Sequence, residues 1–233
     1  MLVCFWSPKG GSGTSVIAAA AALVLAREGS ARLADLDGDQ PAILGLAADP
    51  EQGLRDWLLT GPEAPTDALD RLAVDAGRGL AILAAGAGEL GVASAEAGAA
   101  LGVALQADPR TTVVDVGVLA AARTPALHAL VEVADASVIV VRGCYLALRR
   151  AVHIELTANA SGAVFIDEGC RALGAHDVAN VLGVPVLATV SLRASTARAI
   201  DAGVLPTRLP DALARPVRQM LRRVGALDHE QAA

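Results

Sequence analysis

Lys9-Gly10-Gly11-Ser12-Gly13-Thr14-Ser15 is the stretch on which the reading of the whole chain turns. A short apolar run, Leu2-Val3-Cys4-Phe5-Trp6, precedes it, and an alanine-rich segment from Thr14 to Glu28, closed by Gly29, follows it. The run suits a strand buried on both faces, and the alanine-rich segment suits a helix. A strand, a glycine-rich loop and a helix in that order present backbone N–H groups at a helix N-terminus, where the dipole also favours an anion. Lys9 is the sole lysine among 19 Lys and Arg residues. Its compact ammonium on a flexible stem can enter a phosphate site as a point charge, while arginine serves every other cationic position. The loop is therefore read as a phosphate site that includes Lys9. A plain strand-to-helix turn is the competing reading, and a dinucleotide fingerprint would require glycine where Val16 stands.

An ordinary phosphate loop reads Gly-x-x-x-x-Gly-Lys-[Ser/Thr]. Here Gly13 supplies the second glycine and Ser15 the hydroxyl, but Thr14 occupies the lysine position and the lysine comes earlier, as Lys9. Thr14 is either a hydroxyl touching phosphate or a sign that nucleotide binding has been lost.

Further strands are expected at Ala31–Asp35, Leu80–Leu83, Thr111–Asp115, Ser137–Val141, Ala163–Ile166 and Pro185–Val190, with short helices within 54–72 and a longer one over 93–107. Strands alternating with helices require crossover connections, so the expected fold is α/β, a doubly wound, mainly parallel sheet with helices on both faces. Ligands of such sheets sit at the carboxyl ends of the strands. Asp35, which ends the second strand, Asp37, just beyond it, and Asp115, which ends a later one, become site candidates. Asp39 reads better as a turn or cap residue.

The length of 233 residues allows one domain with a large core, taken as 1–227, with 228–233 expected to be a disordered tail. Hydrophobic residues make up 54% but aromatics only 2%, so the core must be built from Val, Leu, Ile and Ala. A net charge of −6 argues against nonspecific nucleic-acid binding. Arg149, Arg150, Arg215, Arg218, Arg222 and Arg223 offer a local basic surface for DNA or an acidic membrane. A last helix docked on the domain, with Leu213, Val217, Met220, Leu221 and Val224 on its inner face, is the favoured alternative. Cys4, Cys144 and Cys170 lack metal or redox spacing and read as reduced, buried, small hydrophobes. The N-terminus lacks the pattern of a signal peptide, and the apolar stretch from Ile17 to Ala26 is too short to span a bilayer, so the expected compartment is the cytoplasm. The four histidines are scattered and receive no role.

The loop, the Asp35-x-Asp37 pair, Asp115 in Val-Val-Asp-Val-Gly and the run Val-Ala-Asp-Ala-Ser-Val-Ile-Val-Val over 133–141 together resemble the ParA/MinD family of P-loop NTPases (the SIMIBI-like class) over most of the chain. That family carries a deviant Walker A loop, Lys-Gly-Gly-x-Gly-Lys-[Ser/Thr]. Loss of the second lysine is similar to its CpaE/TadZ branch and to septum-site-determining relatives. The resemblance implies a nucleotide-dependent positioning factor in pilus assembly or septum placement, polar or septal in the cytoplasm. It implies ATP or ADP with Mg²⁺, a homodimer, and a protein partner from a pilus or division apparatus. By resemblance Lys9 is the signature lysine that reaches a partner's nucleotide. Gly10, Gly11, Ser12, Gly13, Thr14 and Ser15 hold phosphate, Ser15, Asp35 and Asp115 serve Mg²⁺, and Asp37 stands near the attacking water. Two departures stand out: Thr14 removes the in-cis lysine, and Asp167-Glu168 follows Ile166 where the family has Asn-Arg on the adenine side. ATPase activity is accordingly expected to be weak or absent, and a nucleotide-independent pseudo-ATPase scaffold is the alternative. A metabolic enzyme on the same fold is a further rival, for which no substrate pocket or bridging cysteine spacing is evident.

Overall fold

The computed structural model describes residues 1–120 and 124–228. Of the expected tail, 228–233, the residues from 229 onward, His229 among them, lie outside the described residues. Among the described residues eight strands form one sheet: β1 (Leu2–Ser7), β2 (Ala31–Asp35), β3 (Ala73–Asp75), β4 (Leu80–Leu83), β5 (Thr111–Val118), β6 (Ala136–Arg142), β7 (Gly162–Asp167) and β8 (Val186–Ser191). Their spatial order is β3-β4-β2-β5-β1-β6-β7-β8. The β3–β4 pair is antiparallel and the other six pairs of these strands are parallel. The doubly wound α/β fold expected from the sequence is thus present.

Among the described residues ten α-helices flank the sheet: α1 (Thr14–Glu28), α2 (Gln40–Ile43), α3 (Leu54–Thr60), α4 (Asp67–Leu72), α5 (Ala95–Gln106), α6 (Pro125–Glu132), α7 (Tyr145–Ala151), α8 (Ala175–Leu182), α9 (Ala194–Asp201) and α10 (Asp211–Arg223). The pleat of β1 shows how they divide. Leu2, Cys4 and Trp6 point into a core shared with α3 to α8, while Val3 and Phe5 point into a core shared with α1, α2, α9 and α10. Alternate residues of a strand face opposite sides, so a strand with both faces covered must be apolar throughout. All six residues of β1 are buried.

α1 is buried almost all round, because it lies between the sheet and α10. Its alanines let both neighbours approach closely, and alanine also costs least in helix propensity. α10 docks through Leu213, Val217, Met220 and Leu221. Arg218 pairs with Glu28 of α1, and the Arg223 guanidinium donates to the Leu187 carbonyl at 2.7 Å and the Val186 carbonyl at 3.3 Å. The docked-helix reading is therefore the observed one, and these two arginines of the suspected basic surface are engaged within the chain. Among the described residues no helix is long and apolar enough to cross a membrane.

At the opposite end of the sheet from the glycine loop, Arg32 of β2 is only 2% exposed. It donates to Asp70 Oδ1 at 2.9 Å and pairs with Asp108, which also accepts from Arg110 at 2.7 and 2.9 Å. Of the three cysteines expected to be buried, only Cys4 is. Cys144 and Cys170 follow the ends of β6 and β7, where the chain has left the core.

Candidate functional site

The loop leaves β1 at Ser7. The Ser7 hydroxyl donates to the Lys9 carbonyl at 3.1 Å, and the Ser12 hydroxyl donates to the same carbonyl at 2.7 Å. These two bonds fix the first half of the loop. Gly13 then takes φ 90° and ψ 20°, the left-handed region that glycine tolerates, and its carbonyl accepts from Ile17 N–H at 3.1 Å to begin α1. A Cβ at Gly11 or Gly13 would meet nothing within 4 Å. Glycine there answers a backbone requirement, and the space in front of the loop is open.

That space is a cavity of about 440 Å³, walled on one side by Ser7 and residues 10–16 and on the other by Asp37, Asp39, Gly117, Val118 and Arg142. Thr14 lines it, and its hydroxyl is buried without a partner. Lys9 is not part of the wall. Its ammonium donates to the Gly10 carbonyl at 3.3 Å on the exposed side of the loop.

Asp35 and Asp115 are cross-strand neighbours in β2 and β5, both fully buried. Asp35 Oδ1 accepts from the N–H groups of Asp37 (3.1 Å) and Gly38 (2.7 Å), and Oδ2 accepts from Gln40 N–H (3.1 Å). Its carboxylate thereby folds the turn that carries Asp37. Asp115 accepts from the Gln40 amide at 2.7 Å and from Gly117 N–H at 3.2 Å, while the same Gln40 amide holds the Ser15 carbonyl at 2.9 Å. Gln40 thus ties the start of α1 to both acidic strands. The Ser15 hydroxyl acts on Asp37 and Asp115 alike.

The strand that carries Asp115 does not stop there, as the sequence suggests, but runs on to Val118. Its register against β1 shifts after Asp115, so that Trp6 faces Gly117. Gly117 has φ 70°, and a Cβ there would lie 2.2 Å from Asp37 Oδ1. Only glycine lets Asp37 settle against β5 beside the cavity.

Burial pushes the Asp115 carboxyl up to about 7, with the Gln40 bond opposing and the Asp35 carboxylate adding to the rise. Burial likewise pushes Asp35 up to about 6 against its three backbone N–H bonds. Asp37 is raised by burial and by the Asp39 charge. Three carboxyl groups gathered in this way are short of positive charge. Among the described residues no set of three or more His, Cys, Asp or Glu is placed to hold a metal unaided. Mg²⁺ fits such a site, because it is commonly held by one or two carboxylates, waters and ligand phosphates rather than by an all-protein cage. The open glycine cradle, the unpartnered Thr14 hydroxyl and the paired carboxylates therefore suit a magnesium-bound polyphosphate.

The raised values set a pH response. The unfolded carboxyls release protons near pH 4, whereas the folded ones hold them to about pH 6 and 7. Between those limits the folded state binds more protons, so stability is greatest at the acid end of the window and falls as pH rises through 7. Asp115→Asn is expected to raise stability at pH 8 by ~2 kcal/mol, and to flatten the decline between pH 5 and 8. Urea denaturation without Mg²⁺ measures both; an unchanged slope would refute the buried-charge account.

No protein-family model matches the chain, and no curated sequence matches it significantly. Solved structures do. A ParA family ATPase from Chlorobium tepidum TLS is 20% identical, with a TM-score of 0.76 over 94% of this chain and 97% of that one. The MinC:MinD cell division complex of Aquifex aeolicus gives 17% identity and a TM-score of 0.77 over 100% and 98%. The septum site-determining protein MinD of Pyrococcus horikoshii OT3, complexed with Mg-ADP, gives 17% and 0.76 over 96% and 95%. Over the matched 94–100% of its length the chain has the fold of ParA/MinD P-loop ATPases.

The structure brings Gly10, Gly11, Ser12, Gly13, Thr14, Ser15, Asp37 and, behind them, Asp35 and Asp115 to one end of the sheet, and leaves Lys9 facing outward. Gln40 and Arg142 went unnoticed in the sequence. Gln40 sits in the acidic turn and its contacts lie 25 and 75 residues away, while Arg142 reads as an ordinary charged residue closing a strand.

Proposed function

We propose that this chain is a nucleotide-dependent positioning factor of the ParA/MinD kind, acting as a homodimer with Mg-ATP or Mg-ADP as its switch. The observation that carries this reading is one cavity whose near wall is the glycine loop and whose far wall is the Asp37 turn, with Ser15 between them. Residues 10–15 would hold phosphate, and the Ser15 hydroxyl and Asp115 would hold Mg²⁺. Asp35 would act from behind, since both its oxygens already carry N–H bonds, and Asp37 would orient the attacking water. The bound magnesium nucleotide supplies a transferable phosphoryl group. Thr14 brings no charge to that group, and phosphoryl transfer depends on charge stabilisation and positioning, so turnover is weak or absent.

Lys9 would complete the site of a second copy, which its position outside its own cavity supports. Titrating Mg-ATP at rising protein concentration, with sedimentation velocity in parallel, tests this. Wild-type affinity is expected to rise as dimer forms, and Lys9→Ala to bind weakly at every concentration. Equal affinity of the two proteins at high concentration would falsify the proposal. The missing second lysine supports the finer assignment to the CpaE/TadZ and septum-site branch. The partner would then be a protein of a pilus or division apparatus, and the location a pole or septum in the cytoplasm. Thr14 also favours the rival reading, a pseudo-ATPase scaffold that dimerises without nucleotide.

A further inference from the structure

An ordinary phosphate loop delivers its own cation from the first turn of the helix, where this chain has only the Thr14 hydroxyl. We infer that Arg142, at the carboxyl end of β6, supplies the in-cis cation in its place and reads phosphate from the opposite wall of the cavity. This rests on the cavity being a nucleotide site.

The topology puts Arg142 there. β6 runs parallel to and beside β1, with Ile139 opposite Trp6, so the two strands end side by side and Arg142 emerges next to the loop. Among the described residues that line the cavity it is the one cation. It also lines a neighbouring apolar cavity of about 380 Å³, formed with Ile17, Ile166, Val190 and Leu192, and shares Gly13, Val16 and Ile200 between the two. The guanidinium therefore stands where an anionic chamber opens into an apolar one. That is the place for the hinge between the phosphates and the flat base of a nucleotide.

The guanidinium is held but not satisfied. One Nη1 bond goes to Glu168 Oε1 at 2.9 Å, and Nε is buried with no hydrogen-bond partner. A guanidinium carries five N–H donors in a planar fork, so a single carboxylate oxygen leaves capacity for an anion. Glu168 is shared with Arg171, which lets it give up part of its hold on Arg142 without being left unpaired. Glu168 thus tethers Arg142 and competes with phosphate for it.

A merely structural role would have the Arg142–Glu168 pair tie β6 to the segment after β7, and either substitution would then act alike. Calorimetric titration of Mg-ATP into dilute, monomeric protein separates the two cases, with circular dichroism confirming that each variant is folded. Arg142→Gln is expected to weaken binding on the order of 10- to 100-fold, and Arg142→Lys to fall in between, keeping charge but losing the fork. Glu168→Gln, which breaks the same pair, is expected to bind about threefold more tightly. Weakening by both Arg142→Gln and Glu168→Gln, or no weakening by Arg142→Gln, overturns the assignment while nucleotide binding itself stands. A wild-type protein that binds no Mg-ATP overturns both.

Discussion

Thr14→Lys is expected to tighten Mg-ATP binding on the order of 10- to 100-fold and to bring steady phosphate release, where the wild-type chain is expected to give little or none. Thr14 lies at the first turn of α1 and lines the cavity in front of the glycine loop, so a lysine here starts from the cavity wall. A charged hydrogen bond to phosphate contributes about 1.5–3 kcal/mol. A fixed cation aimed at charge that develops during transfer adds about 2.7–4 kcal/mol to the rate term. The rest of the apparatus is assembled already: Ser15 beside Asp37 and Asp115, Gln40 binding the acidic strands to α1, and Gly117 seating Asp37. Malachite-green phosphate release and calorimetry read the two effects. If neither changes, the cavity is a relic and the scaffold reading takes its place.

Arg32→Ala is expected to cost about 3–5 kcal/mol of stability, the largest loss foreseen for any exchange distant from the cavity. Arg32 is enclosed at the amino end of β2, where it bridges Asp70 and Asp108. Alanine leaves both a void and carboxylates short of a partner. Asp108 retains Arg110, whose hydrogen bonds are the main reason its carboxyl is held down at about 2. Stability from that pairing is present above about pH 4 and is lost as pH falls toward 2, in wild type and variant alike. Arg32→Met, which fills the space without charge, is expected to cost less than half as much as alanine. Urea midpoints of the three proteins check the order. Because the cluster lies at the far end of the sheet, nucleotide affinity measured well below the transition should not move.

The architecture was legible because its signals are local. α1 begins at Thr14 and ends at Glu28 as composition and Gly29 imply, and β2 and β4 coincide with their apolar runs. β3 escaped notice: its three residues, Ala73–Asp75, are part-buried or exposed, and a short antiparallel edge strand needs no apolar pattern. The extension of β5 past Asp115 was hidden for a different reason. It depends on an irregular register against β1 and on the close approach of Asp37 to Gly117, neither of which has any trace in residue order. The glycine-loop side of the site could be read from the glycines, but the Gln40 bond to Asp115 and the Arg142 wall are products of strand order, which places β5 and β6 on either side of β1.

The grip of Arg223 on the Val186 and Leu187 carbonyls has a consequence beyond docking α10. Those oxygens sit on the last strand, where unpaired main-chain groups invite another polypeptide to add itself to the row. At the far margin the invitation is equally poor, since β3 offers three residues running against the rest. Both rims being blunted, copies of this chain are steered away from endless strand-by-strand stacking.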